Sequence, residues 1–130
     1  MYVLDTNTLI YFFKGRGKVA QHLLATPPQE ITIPSVVLYE LEYGIAKSQS
    51  PQKRQRQLNI LCEVVKILPF GSKEAKQAAK IRAALTAAGT PIGHYDLLIA
   101  GTALANQGIL VTNNTKEFSR ITKLHIENWY

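Results

Sequence analysis

The six residues Val3-Leu4-Asp5-Thr6-Asn7-Thr8 restrict the fold more than any other part of this chain. A short apolar run ends on a carboxylate, small hydroxyl and amide side chains follow, and an apolar stretch resumes at Leu9-Ile10-Tyr11-Phe12-Phe13. That order predicts a buried strand delivering Asp5 to its carboxyl end, then a helix whose first turn is capped by Thr6 or Asn7. In open sheets built from such strand-helix units, the ligand crevice lies beyond the carboxyl ends of the strands. Asp5 is therefore either a site residue or only a helix cap, and the remaining acids must decide between the two.

The alternation continues along the chain. Val19 to Leu24 reads as a second helix stopped by Thr26-Pro27-Pro28. Glu30-Ile31-Thr32-Ile33 follows as a strand, with Pro34 at the first position of the next helix and Ser35 beside it. That helix runs to Lys47-Ser48 and is apolar around most of its circumference, which leaves Glu40 no ready route to solvent. Ser50-Pro51 restarts a helix from Gln52 to Cys62, and Glu63 to Leu68 reads as a third strand. Ser72 is the expected N-cap of a long helix packed through Ala75, Ala79, Ile81, Ala83, Leu85 and Ala88, with Gly89 as its stop. Beyond the loop Gly89-Thr90-Pro91-Ile92-Gly93, His94-Tyr95-Asp96 opens a helix that carries no charge from Leu97 to Ala105. Gly108 ends it, Ile109 to Thr112 forms a fourth strand, a helical turn surrounds Lys116-Glu117-Phe118, and a last strand lies near Leu124-His125-Ile126. The expected class is α/β: a three-layer α/β/α sandwich with a mainly parallel central sheet, residues 1–130 making a single domain.

Composition narrows the setting. No run approaches the roughly 18 apolar residues of a membrane span, and Asp5 interrupts the only apolar N-terminus a signal peptide could use, so the expected location is cytoplasmic. The single cysteine, Cys62, sits in an apolar segment and reads as a packed thiol. A net charge of +6 arises from clusters at Lys14-Gly15-Arg16-Gly17-Lys18, at Lys53-Arg54-Gln55-Arg56, along Lys73, Lys76, Lys80 and Arg82, and at Lys116, Arg120 and Lys123. Such a field favours polyanions, nucleic acid above all, or an acidic protein.

Against that basic background, Asp5, Glu40 and Asp96 stand in apolar surroundings. A buried carboxylate needs a proton or a compensating cation, and neither Glu40 nor Asp96 has a basic residue within helical reach on its own face. One hard divalent ion, Mg2+ or alternatively Mn2+, satisfies all of them. Zinc is disfavoured, since one cysteine and three scattered histidines give no ligand spacing. Asp96 alone is also explained by the helix dipole, whereas Glu40 is harder to dismiss because Glu42 occupies the opposite side of the same helix.

Leu4-Asp5-Thr6-Asn7, Tyr39-Glu40-Leu41 followed by Tyr43-Gly44, Gly89 to Gly93 leading to Asp96-Leu97-Leu98-Ile99-Ala100, and Val111 to Phe118 through Glu127-Asn128-Trp129 resemble PIN-domain ribonucleases, and most closely the VapC-type toxins of bacterial toxin-antitoxin pairs. The match covers essentially the whole chain in order. It implies a metal-dependent endoribonuclease that cuts RNA, tRNA or ribosomal RNA among its targets, and leaves a 5′-phosphate and a 3′-hydroxyl. It further implies Asp5, Glu40 and Asp96 as the catalytic and metal-binding acids, a homodimer, and a VapB-type antitoxin whose tail enters the acidic site. Where many PIN domains carry a fourth acid, this chain has Asn113 and Asn114, with Glu117 the nearest carboxylate. Asn7, Thr112, Asn114 and Glu117 are the supporting candidates, Thr112 and Asn114 as orienters of Asp5 or holders of a water, and His94 reads as a loop residue near the site. The alternative is a PIN fold without activity that binds RNA or a partner. A haloacid-dehalogenase-like phosphatase would need a second Asp where Asn7 stands, and a receiver-like domain would need an acidic pair at the first strand and a Lys after a late one; the chain supplies neither.

Overall fold

Strand β1, Tyr2–Leu4, is the middle of the sheet because its apolar residues are covered on both faces. The computed structural model of the protein, which describes all of residues 1–130, places five parallel strands in the order β3-β2-β1-β4-β5, with β2 at Ile31–Pro34, β3 at Lys66–Leu68, β4 at Ile109–Val111 and β5 at Ile126–Glu127. Val3 pairs with Thr32 on one side and with Leu110 on the other. Short strands buried on both faces read as continuous apolar runs, as Val3-Leu4 and Leu110-Val111 do.

Helices fill every crossover: α1 (Thr6–Lys14) and α2 (Val19–Leu24) before β2, α3 (Ser35–Ala46) and α4 (Pro51–Cys62) before β3, α5 (Ser72–Ala87) and α6 (His94–Ala105) before β4, and the short α7 (Thr115–Phe118) before β5. The chain steps from β1 to β2 to β3 in one direction, then returns past β1 to β4. Parallel crossovers are right-handed, so this reversal carries the α5-α6 crossover over the opposite face from the earlier ones and makes three layers. The core is one continuous cluster of 23 buried apolar residues, from Val3 and Leu4 to Phe118, Ile121 and Trp129. No helix is long and apolar enough to cross a membrane.

Several local expectations are corrected. The cap of α1 is Asp5 itself, whose Oδ1 accepts the Thr8 N–H at 2.9 Å, not Thr6 or Asn7. Pro34 closes β2 and caps α3, so the helix begins one residue later at Ser35. Gly71, not Ser72, caps α5, and its N–H bonds the Glu74 carboxylate at 2.9 Å. Residues 63–65 belong to the turn after α4 rather than to β3, and the last strand is Ile126–Glu127; His94 opens α6, as the segment His94-Tyr95-Asp96 predicts, and so is not a loop residue. On α5 the buried stripe is Glu74, Ala78, Ile81 and Leu85, while Ala75, Ala79, Ala83 and Ala88 face solvent. Alanine is small enough to sit on either face of a helix, so periodicity alone could not choose the stripe. The two helices lie very close: a Cβ on Gly101 of α6 would meet the Ala78 Cβ at 2.7 Å.

On α3 only Val37 and Leu41 are fully buried, and Tyr39 and Tyr43 project into solvent. The expectation of a helix surrounded by protein therefore fails on one face. Cys62 is a free, half-buried thiol, pushed above its usual pKa by burial and then by Glu42.

Candidate active site

The sheet reverses its strand order between β1 and β4, and the residues just beyond those two strands meet there. Asp5 follows β1 and its N–H bonds the Val111 carbonyl at 3.2 Å. Thr112 follows β4 and is fully buried, and its side chain acts to lower the Asp5 pKa against the rise that burial causes. The Thr8 hydroxyl donates to the Val111 carbonyl at 3.1 Å, tying the first turn of α1 to β4. Asp5 is thus fixed by the same contacts that cap its helix. Capping and site membership are compatible.

Glu40 arrives from α3. Its Oε1 accepts the Thr6 hydroxyl at 2.7 Å, so the start of α1 holds it in place. Asp96 lies in the first turn of α6, beside the backbone of Gly93. Glu117, on α7, takes a hydrogen bond at Oε2 from the Asn114 amide at 3.0 Å, and the Asn114 N–H bonds the Thr112 hydroxyl at 2.9 Å. Glu40 and Glu117 each keep one oxygen outside these bonds.

The electrostatics show that the acids share one space. Burial pushes the Asp96 carboxyl up, and the charges of Glu117, Asp5 and Glu40 push it further, to about 6. Burial also raises Asp5, against the opposing hydrogen bonds from Thr112 and Thr8. The only salt bridge in the chain, Lys73 with Glu74, lies elsewhere. The four site acids therefore have no cationic side chain paired with them, although the protein carries a net +6. Mutual repulsion of this kind marks functional sites more often than structural ones.

The donor set fits a hard divalent cation: carboxylate oxygens, partly desolvated, repelling one another and unpaired. No three acidic, histidine or cysteine side chains come close enough to enclose an ion directly. Mg2+ is ordinarily held through one or two carboxylates with several of its waters retained, so the fit is to a hydrated ion.

The supporting candidates divide. Thr112 and Glu117 join the cluster, and Asn114 does so by holding Glu117 rather than Asp5. Asn7 is exposed, because the cap it was expected to supply is provided by Asp5. His94 lines a separate groove of about 690 Å³ between α5 and α6, with Arg82, Ala79, Ala83 and Leu98. Sequence reasoning missed Thr6 as the partner of Glu40; only the fold brings residues 34 positions apart together. A further cleft of about 330 Å³ opens beside Glu40, lined by Ile10, Phe13 and Leu41 with Lys14 and Arg54.

Comparison with known proteins identifies the family of the whole chain. The PIN domain family matches residues 2–124. The ribonuclease VapC2 of Rickettsia felis is 40% identical over 131 residues, covering 99% of this chain and 98% of that protein. The tRNA(fMet)-specific endonuclease VapC of Salmonella typhimurium is 34% identical, covering 98% and 97%. Among solved structures, VapBC2 from Rickettsia felis bound to a DNA fragment from its promoter superposes with a TM-score of 0.92 at 38% identity, over 99% of this chain and 98% of that one.

Proposed function

The chain belongs to the PIN domain family, and on that premise we propose that it is the ribonuclease toxin of a toxin-antitoxin pair, hydrolysing RNA with Mg2+ as cofactor and held inactive by a VapB-type antitoxin. The observation that carries the reading is the meeting of Asp5, Glu40, Asp96 and Glu117 at the sheet's reversal point with no salt bridge to any of them. The names of the relatives supply the substrate class: ribonuclease in one case, tRNA-specific endonuclease in another.

The metal would be held by Asp5 and Asp96, with Glu40 reaching it through water and Glu117 nearby. When bound, Mg2+ supplies Lewis acidity toward a phosphodiester oxygen and a lowered pKa for its water. The protein's own contribution is to hold the acids where they repel. Thr8 fixes Asp5, Thr6 fixes Glu40, and Asn114 fixes Glu117, so little reorganisation is needed when the charges are neutralised. The basic surface residues hold the phosphate backbone, and in-line hydrolysis leaves a 5′-phosphate and a 3′-hydroxyl.

The antitoxin reading is supported by relatives solved as VapBC complexes. In this chain the cleft beside Glu40 gives such a partner apolar surface with Lys14 and Arg54 at hand. Exposed alanines along the α5-α6 groove support a homodimer, and a cytoplasmic location accords with this role.

Asp5→Asn is the discriminating variant. Asparagine caps a helix as well as aspartate does and retains the oxygen that accepts the Thr8 N–H, so the fold is expected to survive while the charge is lost. The variant should unfold cooperatively and leave RNA uncut, whereas the wild type cuts and the antitoxin suppresses it. Undiminished cleavage by Asp5→Asn removes the metal-site reading.

A further inference from the structure

Eight large apolar side chains remain exposed in this protein, and three of them, Tyr39, Tyr43 and Tyr95, belong to one surface at the rim of the acidic site. Tyr39 immediately precedes Glu40 on α3, and Tyr95 immediately precedes Asp96 on α6. Their rings meet across the mouth between the two helices, with centroids 5.8 Å apart and planes inclined at 46°. Tyr39 is 56% exposed and Tyr95 47%, so neither ring is spent on the core. Their hydroxyls lie 3.5 Å apart, a separation too long to tie α3 to α6 with any strength. Along α3 the surface continues: Tyr43, 60% exposed, lies one turn beyond Tyr39, and Lys47 one turn beyond that holds its ammonium 4.8 Å from the Tyr43 ring centre. Residues four apart on a helix share a face and rise about 6 Å, so these side chains make a stripe leading away from the carboxylates.

We propose that Tyr95, Tyr39 and Tyr43 form a stacking track for single-stranded RNA that runs from the acidic site along α3 to Lys47. Three π-faces in succession, closed by a cation, have the chemistry of a single-strand platform, because every base offers a face to stack and the backbone seeks positive charge. The net charge of +6 complements that ligand, and the track is continuous with Glu40 and Asp96, where the strand would be cut. The inference rests on the nuclease reading for the fate of the strand but not for its binding, which is measured separately. Stacking tolerates any base, so the track positions the strand and the sequence preference lies elsewhere.

The test measures binding of a short fluorescein-labelled single-stranded oligoadenylate by anisotropy in Mg2+, with every variant on the Asp96→Asn background so that cutting does not intrude. Tyr39→Ala and Tyr95→Ala should each weaken binding about tenfold, and Tyr43→Ala somewhat less. Tyr39→Phe and Tyr95→Phe should bind like the parent, because the ring is kept and only the weak hydroxyl contact is lost. The proposal is overturned if the parent does not bind the oligonucleotide, if the alanine variants bind equally well, or if phenylalanine is as harmful as alanine. It is also overturned if the alanine variants change the particle mass by light scattering, which would make the stripe an interface between copies. Binding through the tyrosines by a wild type that cuts no RNA would uphold the track and reject the nuclease reading.

Discussion

Replacing Asp96 by asparagine should make the metal-free protein more stable while destroying its activity. The carboxyl of Asp96 is pushed to about 6 from an ordinary 3.8, first by burial and then by Glu117, Asp5 and Glu40. A shift of about 2 pKa units corresponds to about 3 kcal/mol of penalty on the charged form. The side chain is half-buried, so solvent screening reduces this to about half. The dipole of α6 favours an acid in its first turn by about 0.5 kcal/mol, which asparagine forfeits. A net gain of about 1 kcal/mol at pH 7.5 remains for Asp96→Asn. The sign with pH follows from the direction of the shift. The native carboxyl is raised, so the wild type is least penalised below 3.8 and loses stability as pH rises through that value to about 6. Urea unfolding in EDTA at a series of pH values from 7.5 downward should show the variant ahead at the start and its lead narrowing below about 6. Adding Mg2+ at pH 7.5 should raise the stability of the wild type and much less that of the variant. A variant less stable than the wild type in EDTA at pH 7.5, or a difference that does not change with pH, would refute the idea of a strained, cation-seeking cluster.

Three other expectations follow from named contacts. Gly101→Ala places a Cβ at 2.7 Å from that of Ala78, so α5 and α6 must part; urea unfolding should show a loss of about 1–3 kcal/mol. Thr6→Val removes the donor to Glu40 Oε1 and should lower the rate of RNA cleavage about tenfold with little change in Tm. Burial acts to raise the pKa of Glu74, but bonds from Gly71, its own N–H and Asn106, with Lys73 beside it, outweigh that and hold it below the usual 4.5. Its stabilising charge is therefore present above 4.5 and lost as pH falls below it, so the deficit of Glu74→Gln against wild type should shrink in acid.

The strand-helix alternation made the layered parallel sheet legible, because short apolar runs bounded by Gly, Pro and capping residues leave few alternatives to it. The three acids were legible for a different reason: a carboxylate in an apolar run is costly wherever it lies. Caps proved harder to place. Asp5 and Gly71 each took the cap expected of a neighbour, and Pro34 lies one position before the helix it was expected to begin; only Asp5 caps through a side-chain oxygen, while Gly71 and Pro34 do so by backbone conformation, which local pattern does not rank. The buried face of α5 was obscured by alanine, and the buried Glu74 by its charge, which is offset only once Gly71 and Asn106 are brought to it. The link from Thr6 to Glu40 and the meeting of Tyr39 with Tyr95 depend on the approach of distant segments, which no periodicity encodes.

Whether the convergent acids make a metal-dependent ribonuclease centre is tested most directly by incubating the purified protein with total RNA in Mg2+, against EDTA and against Asp96→Asn, and mapping the new 5′ ends. Discrete cuts bearing 5′-phosphates that vanish both with EDTA and with Asp96→Asn are the predicted result. Cuts that persist in Asp96→Asn, or an absence of cuts with Mg2+ and with Mn2+ alike, would contradict it.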